Sequence, residues 1–246
     1  RLTADLAIDS NAADDIKVDV RKFVADEGDG PAGATDSAAT YPVVVRMWRR
    51  VSDKLLGEGS LYASRLQYDT ELDQAMAFGP GEVWLHNATT MQSRTDPNAK
   101  PVEPCYVRVK NFDTLKYWSL SNRIVAEDDE QQLLMEYFPL VDGNWGQRTY
   151  AVVGHVQATL REVAEGQMDL VSLVASQGIE YDSEADQQKF FGSELVYDDV
   201  TSLMVIRGDE IRPCRLNGAL VNQIVVDLKT GRVEADPTTS VFQVGP

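Results

Sequence analysis

Two histidines are the first candidates for catalysis or metal binding, because imidazole is the side chain that titrates nearest neutral pH. His86 lies in VWLHN and His155 in VVGHVQ, each within an apolar, strand-like pattern. An isolated histidine in such a pattern is typically a hydrogen-bonded structural side chain. Neither histidine is therefore predicted to act in catalysis.

Motifs for nucleophilic or nucleotide chemistry are incomplete. The serine of GEGSL at 57–61 is in the wrong frame for a nucleophile elbow. The segment GPGEVW, which begins at Gly79, lacks the third glycine of a dinucleotide-binding loop and opens no helix. The sequence therefore predicts no catalytic residue and no cofactor, and the chain is not expected to be an enzyme.

Acidic clusters are the next candidates for chemistry. DSNAAD from Asp9 and DEGDG from Asp26 miss the ligand spacing of a calcium loop, so no metal site is predicted. EDDE at 127–130 is typical of a solvated turn, although a carboxylate pair for glycoside hydrolysis stays open among so many acidic residues.

Carbohydrate binding is an alternative, because tryptophans can line a sugar-binding face. Tryptophan is nevertheless buried on average, so core or sheet-edge positions are the more usual interpretation. The loop-like segment DGNWGQ makes Trp145 the best exposed candidate. The four tryptophans are Trp48, Trp84, Trp118 and Trp145.

The two cysteines, Cys105 and Cys214, are too few for a disulfide framework or a four-ligand zinc site. Two unpaired buried thiols are the favoured interpretation. A single long-range disulfide in an oxidising compartment is the alternative.

The charge balance limits the choice of partners. A formal charge of −16 over 246 residues makes a nucleic-acid partner unexpected, because phosphate binding requires clustered lysine and arginine. The same charge disfavours docking onto anionic membranes. No run of eighteen apolar residues occurs, so no transmembrane segment is predicted. Because the chain begins at Arg1, a leader or a membrane anchor could precede this numbering.

Short segments rich in β-branched and aromatic residues dominate the chain and predict an all-β fold. CYVRVK at 105–110 is one example of their alternating pattern. Helix patterns are confined to SDKLL at 52–56 and SEADQQKFF at 183–191, neither of which completes two amphipathic turns. Loop insertions are predicted at 25–40 and 89–104, which lack apolar periodicity.

A pattern with fixed spacing recurs along the chain. Three Tyr-Asp pairs are each followed by a glycine eleven positions after the tyrosine, and an aliphatic residue stands two positions before it. In a fourth copy Val226-Asp227 replaces the pair and Pro237 replaces the glycine. The pairs are Tyr68-Asp69, Tyr181-Asp182 and Tyr197-Asp198, and the aliphatic residues of the four copies are Leu66, Ile179, Leu195 and Ile224.

This spacing predicts a strand–turn–strand unit. Residues two apart share one face of a strand, the aspartate can start a turn by accepting backbone N–H bonds, and the closing glycine permits a corner or bulge. Such a unit buries its apolar face only against neighbouring copies. The predicted inward residues are Leu66, Tyr68, Met76, Phe78, Ile179, Tyr181, Leu195, Tyr197, Met204, Ile206, Ile224 and Val226; Gln67, Asp69, Arg207 and Gln223 are predicted to face outward.

At GSLYASRLQYD, FFGSELVYD and KTGRVEA the chain resembles the OstA-like repeat family of lipopolysaccharide-transport proteins, which includes the LptA-like bridge proteins. The resemblance covers the clearest repeats, at 61–85 and 178–235, and leaves 88–150 unmatched. It implies one elongated antiparallel β-jelly roll over 1–246, with two sheets packed in a V around an apolar interior. It further implies a periplasmic protein that carries lipopolysaccharide, or a similar glycolipid, by its acyl chains and stacks on other OstA-like domains through edge strands.

Lipid binding by the twelve inward residues is thus the leading hypothesis. One alternative is a structural or adhesive β-repeat protein with a sealed core, because alternating apolar residues also build closed sandwiches. Another is a carbohydrate-binding jelly roll or a divergent hydrolase, which requires exposed tryptophans beside a carboxylate pair.

Overall fold

The computed structural model describes residues 2–9, 17–22, 43–51, 54–69, 71–87, 104–141, 144–164, 167–184 and 187–237. Within these ranges the chain forms strands and turns and no helix, which confirms the all-β prediction. The two helix predictions are wrong where the structure describes them. Residues 54–56 lie in β-strand, and so do residues 188–191. The predicted loop at 25–40, and that at 89–104 except for Pro104, lie outside the described residues.

Seventeen strands lie in the described part of the chain. The first nine are β1 Leu2–Asp9, β2 Lys17–Lys22, β3 Val43–Val51, β4 Lys54–Ala63, β5 Arg65–Asp69, β6 Gln74–Asn87, β7 Cys105–Trp118, β8 Arg123–Glu127 and β9 Leu133–Val141. The other eight are β10 Asn144–Trp145, β11 Thr149–Ala164, β12 Gln167–Ser183, β13 Gln188–Asp198, β14 Leu203–Arg207, β15 Arg215–Leu216, β16 Ala219–Asp227 and β17 Arg232–Pro237. All pairings are antiparallel except that of β1 with β3.

The long strands change partners halfway along, which divides the sheet into two arms. Residues 114–118 of β7 pair with β8, whereas residues 105–110 pair with β9. Strands β11, β13 and β16 divide in the same way. The first arm contains β5, β8, β14 and β17 with the adjoining halves of the long strands. The second arm contains β3, β4, β9 and β15 with the other halves.

A line of irregular backbone, here called the crease, separates the two arms. Register shifts occur between Phe78 and Glu82 in β6, between Val153 and His155 in β11, and between Ser176 and Ile179 in β12. Bulges of this kind bend a strand sharply. The folded sheet is therefore one hydrogen-bonded system bent along a line, and the jelly-roll connectivity stays a prediction.

The closing glycines of the first three repeats all lie at the crease, where no side chain fits. A Cβ atom on Gly79 would stand 1.7 Å from the carbonyl oxygen of Phe112. On Gly192 it would stand 2.6 Å from the carbonyl oxygen of Arg207, and on Gly208 it would stand 2.1 Å from the backbone nitrogen of Cys214. The predicted bulge is confirmed at Gly79, which lies within the register shift of β6. Gly192 pairs with Ile179 beside the shift of β12, and Gly208 directly follows β14.

All four repeats form antiparallel hairpins, namely β5–β6, β12–β13, β13–β14 and β16–β17. In three of them the aspartate starts the turn as predicted: Oδ1 of Asp69, of Asp198 and of Asp227 accepts backbone N–H bonds from residues two or three positions on. Asp182 differs, because its carboxylate forms an ion pair with Lys189, its partner across the hairpin.

The core runs along the crease and draws side chains from both arms. Phe112, Leu133, Phe190, Ile206 and Ile224 are completely buried there or nearly so. Because one face of each arm contributes to the same core, the arms fold toward each other over that face. We call it the concave face and the opposite one the convex face.

Gly192→Ala should destabilise the protein by about 3 kcal/mol, because the new methyl group must displace backbone and the side chain of Ile206. Gly218→Ala is the matched control, since nothing lies within 4 Å of its Cβ position and only its left-handed φ of 87° is strained. That control should cost about 1 kcal/mol. Urea unfolding measures both, and equal losses would contradict the steric account of the crease.

The turn of the fourth repeat should contribute pH-dependent stability. Hydrogen bonds from the Thr230 side chain and then from backbone N–H groups lower the pKa of Asp227 below its usual value. A lowered carboxyl pKa adds stability above the unfolded-state pKa of about 3.9, and this stability disappears as the pH falls through the folded-state pKa. Asp227→Asn keeps the amide acceptor and removes the titration. The wild-type advantage over Asp227→Asn should therefore shrink between about pH 5 and about pH 2 in urea unfolding, and a constant difference would refute this role.

Candidate functional site: an apolar groove

Two rows of cross-strand partners cross the first arm on its concave face without a polar side chain. Each row takes one residue from each of ten strands, in the order β5, β6, β7, β8, β11, β12, β13, β14, β16 and β17. The row beside the crease is Leu66, Ala77, Leu115, Ala126, Val156, Ala175, Leu195, Ile206, Ile224 and Ala235. The next row is Tyr68, Ala75, Tyr117, Ile124, Ala158, Leu173, Tyr197, Met204, Val226 and Val233.

The second arm continues the same apolar surface on the other side of the crease. Its concave row passes through β4, β6, β7, β9, β11, β12, β13 and β15. The members are Leu61, Val83, Val109, Met135, Ala151, Tyr181, Phe190 and Leu216. Residues that face each other across neighbouring strands stand on one side of a sheet, so each row is a continuous apolar band.

Exposure on the concave face rises with distance from the crease. Ala77 and Ile206, beside the crease, are 1% and 0% exposed. Leu173 and Met204, one row further out, are half-buried. At the free edges Tyr68 is 57% exposed, and on the second arm Leu85 is 43% exposed. The concave face is therefore buried beside the crease and partly exposed further out, and we call this apolar surface the groove.

The structure places ten of the twelve predicted lipid-contacting residues on the concave face. Ile206 and Ile224 lie at its bottom, whereas Tyr68 lies at the rim, where its hydroxyl donates to the Asp73 carboxylate and its pKa is raised mainly by that bond. The ten are Leu66, Tyr68, Ile179, Tyr181, Leu195, Tyr197, Met204, Ile206, Ile224 and Val226.

The inward placement of Met76 and Phe78 is wrong. Met76 pairs with Gln67 and Phe78 pairs with Arg65, so both lie on the convex face. The guanidinium carbon of Arg65 is 3.9 Å from the centre of the Phe78 ring. The hairpin register explains the error: it pairs Leu66 with a residue eleven positions on, which is Ala77 and not Met76 or Phe78.

Sequence reasoning missed the central strands of the groove, because the segment 88–150 carries no copy of the repeat. Strands β7 and β8 nevertheless supply four members of the two rows, Leu115, Tyr117, Ile124 and Ala126. Residues 155–159 of β11 add Val156 and Ala158. Their alternation of apolar and polar residues was the available signal, since period two marks a strand with one buried face.

The convex face of the second arm carries a partly buried ion-pair network. The Arg108 guanidinium donates to both carboxylate oxygens of Glu82, with Nε–Oε1 and Nη2–Oε2 distances of 2.9 and 3.1 Å. Nη1 of Arg108 lies 3.5 Å from Oε2 of Glu136, whose Oε1 is 3.0 Å from Nη1 of Arg148. Trp84 completes the network, since its indole N–H donates to Glu82 and its ring lies 4.4 Å from the Arg108 guanidinium. These contacts hold β6, β7 and β9 together on the polar side.

His86, Trp118 and Trp145 contact neighbouring aromatic or charged side chains. His86 contacts Glu58 through Nδ1 at 3.2 Å and stacks on Tyr106. Trp145 stacks on Tyr106 as well and is the only described tryptophan side chain exposed by more than half. Trp118 lies beneath Arg123, while the side chain of Trp48 lies outside the described residues.

The two cysteines are unpaired and buried, so the disulfide alternative is wrong and the favoured interpretation is confirmed. Burial raises the pKa of both thiols. Within the described ranges no group of three His, Cys, Asp or Glu side chains could hold a metal ion. No helix in those ranges is long and apolar enough to span a membrane.

The chain matches no protein-family model, no curated protein and no solved structure.

Arg108→Met should destabilise the protein by about 3–5 kcal/mol, because it leaves the carboxylates of Glu82 and Glu136 buried without their shared cation. Adding Glu82→Gln should recover part of that loss, since one uncompensated charge is removed. Arg207→Met is the control: its ion pair with Glu194 is exposed and should contribute at most about 1 kcal/mol. Equal losses at Arg108 and Arg207 in urea unfolding would contradict the network's importance.

Proposed function

We propose that the protein binds the acyl chains of lipopolysaccharide, or of a similar glycolipid, in the groove between its two arms. The observation that carries this proposal is the pair of ten-residue rows on the concave face, in which every member is apolar or aromatic. In a closed core the outer row has no need to remain half-exposed, whereas a surface that receives lipid must be partly exposed.

The composition of the groove suits a flexible hydrocarbon ligand. Each methylene group transferred from water into it should contribute about 0.8 kcal/mol, so several acyl chains would supply tight binding without any directional contact. Met204 and Met135, which are unbranched and polarizable, can adapt to chains of different length. Tyr117 and Tyr197 add broad apolar ring surface in the half-exposed row.

The convex face and the sheet edge fit a role in passing lipid between proteins. The ion pairs of the second arm make its convex face polar, and the net charge of −16 makes the protein acidic overall. Among the described residues β17 pairs only with β16, so Arg232–Pro237 presents an edge to which a strand of another protein can add. We propose stacking of OstA-like domains through such edges and a periplasmic location, both of which follow from the sequence resemblance.

Site-specific photo-crosslinking tests the proposal. A photoreactive residue at Met204 or Tyr197 faces the groove, whereas the same residue at Val205 or Val196 lies next to it in the chain and faces the convex side. With purified lipopolysaccharide present, we expect lipid adducts at Met204 and Tyr197 and none at Val205 or Val196. Absence of adducts at all four positions would favour the sealed β-repeat interpretation.

A matched groove variant complements the crosslinking. Met204→Glu places a charge in the half-exposed row and should abolish lipopolysaccharide capture, because a carboxylate cannot be buried against acyl chains without a large desolvation cost. Val205→Glu is the control on the convex side. Retained capture by Met204→Glu, with a thermal unfolding midpoint like that of Val205→Glu, would refute the proposed site.

A further inference from the structure

A pocket of about 340 Å³ opens at the crease on the convex side, away from the groove. Three segments meet there: the β8–β9 connection at Gln131, the bulge of β12 at Gln177 and Gly178, and the β14–β15 connection at Arg212 and Pro213. The volume is in the lower range of small-molecule sites.

One wall of the pocket is a cross-strand row of the second arm. It reads Val152 on β11, Glu180 on β12, Phe191 on β13 and Arg215 on β15. These four residues stand on the convex face, because their chain neighbours Tyr181, Phe190 and Leu216 belong to the concave row. Apolar and charged side chains therefore alternate along the wall, with Val152 and Phe191 half-buried and Arg215 exposed.

Arg212 supplies the second cation. Its side chain packs over Gly178, where a Cβ atom would lie 3.1 Å from Nε and 3.2 Å from the guanidinium carbon. Gly178 has a φ of 101°, a backbone conformation that favours glycine. The missing Cβ atom also leaves room for the Arg212 guanidinium. Nη2 of Arg212 donates to Oε1 of Gln131. One of the five guanidinium N–H groups is thereby used for orientation.

Neither Arg212 nor Arg215 forms an ion pair within the described part of the chain, whereas Arg108, Arg148 and Arg161 all do. In a protein with 39 acidic and 23 basic residues, two guanidinium groups at one pocket without a carboxylate within ion-pair distance are unexpected. Glu180 is the only carboxylate that lines the pocket, while the carboxylate of Asp209 interacts with the charge of Arg212 from the adjoining turn.

We infer that this pocket binds a small organic monoanion, a carboxylate joined to an apolar body. The two guanidinium groups bind the carboxylate, because arginine donates paired N–H bonds to that group. The side chains of Val152, Phe191 and Pro213 contact the apolar body, and the amides of Gln131 and Gln177 lie at the mouth. The negative charges of Glu180 and Asp209 favour a monoanion over a phosphate dianion.

Fluorine NMR with 4-(trifluoromethyl)benzoate tests the inference, with 4-(trifluoromethyl)benzyl alcohol as the neutral analogue of the same shape. Saturable binding of the benzoate, and at least about tenfold weaker binding of the alcohol, is expected, since one charged hydrogen-bonded contact is lost. Equal affinity of the two probes, or no saturable binding at millimolar concentration, overturns the inference. Phenyl phosphate used as a competitor should bind more weakly than the benzoate, and stronger binding would overturn the selection of a monoanion.

Variants of the full chain locate the site. Arg212→Gln and Arg215→Gln should each weaken benzoate binding about tenfold, whereas Glu180→Gln should strengthen it about threefold by removing a repulsive charge. Arg232→Gln is the control, because it removes the same charge at an exposed position on β17, where Arg232 pairs with Glu234. Thermal unfolding confirms that each variant is folded. An equal loss in Arg232→Gln and Arg212→Gln would show a general charge effect and overturn the assignment of this pocket.

Discussion

Close approach of backbone at the crease is the constraint on which the rest of the structure depends. Gly79, Gly192 and Gly208 have no space for a Cβ atom, because carbonyl or amide groups of adjacent strands lie where it would stand. The bulges beside them bend the long strands and let one face of the sheet fold upon itself. The buried core, the groove beside it and the convex pocket are all consequences of that bend.

The concave face of the first arm and the convex face of the second arm differ in chemistry. The concave face of the first arm is apolar over ten strands, so its stability and any affinity for lipid come from non-directional burial. The convex face of the second arm instead joins its strands through the contacts of Glu82, Arg108 and Glu136.

Local spacing in the sequence predicted the hairpins, the turn aspartates and the bulge at Gly79, because these features are decided within about a dozen residues. It did not predict the faces of Met76 and Phe78, since apolar character alone does not define a hairpin register. The same register that pairs Leu195 with Ile206 pairs Leu66 with Ala77. The contribution of β7 and β8, and the contacts of Arg212 with Gln131 and Gly178, depend on pairings between distant segments that no local pattern encodes.

The most direct test of an apolar groove that binds acyl chains is methyl NMR with a stearate carrying a nitroxide near its methyl end. Leu173 and Leu195 point into the groove, while Val174 and Val196 lie beside them on the same strands and point to the convex side. The spin label should broaden the methyl signals of Leu173 and Leu195 and spare those of Val174 and Val196. Equal broadening of both pairs, or none, would contradict acyl-chain binding in the groove.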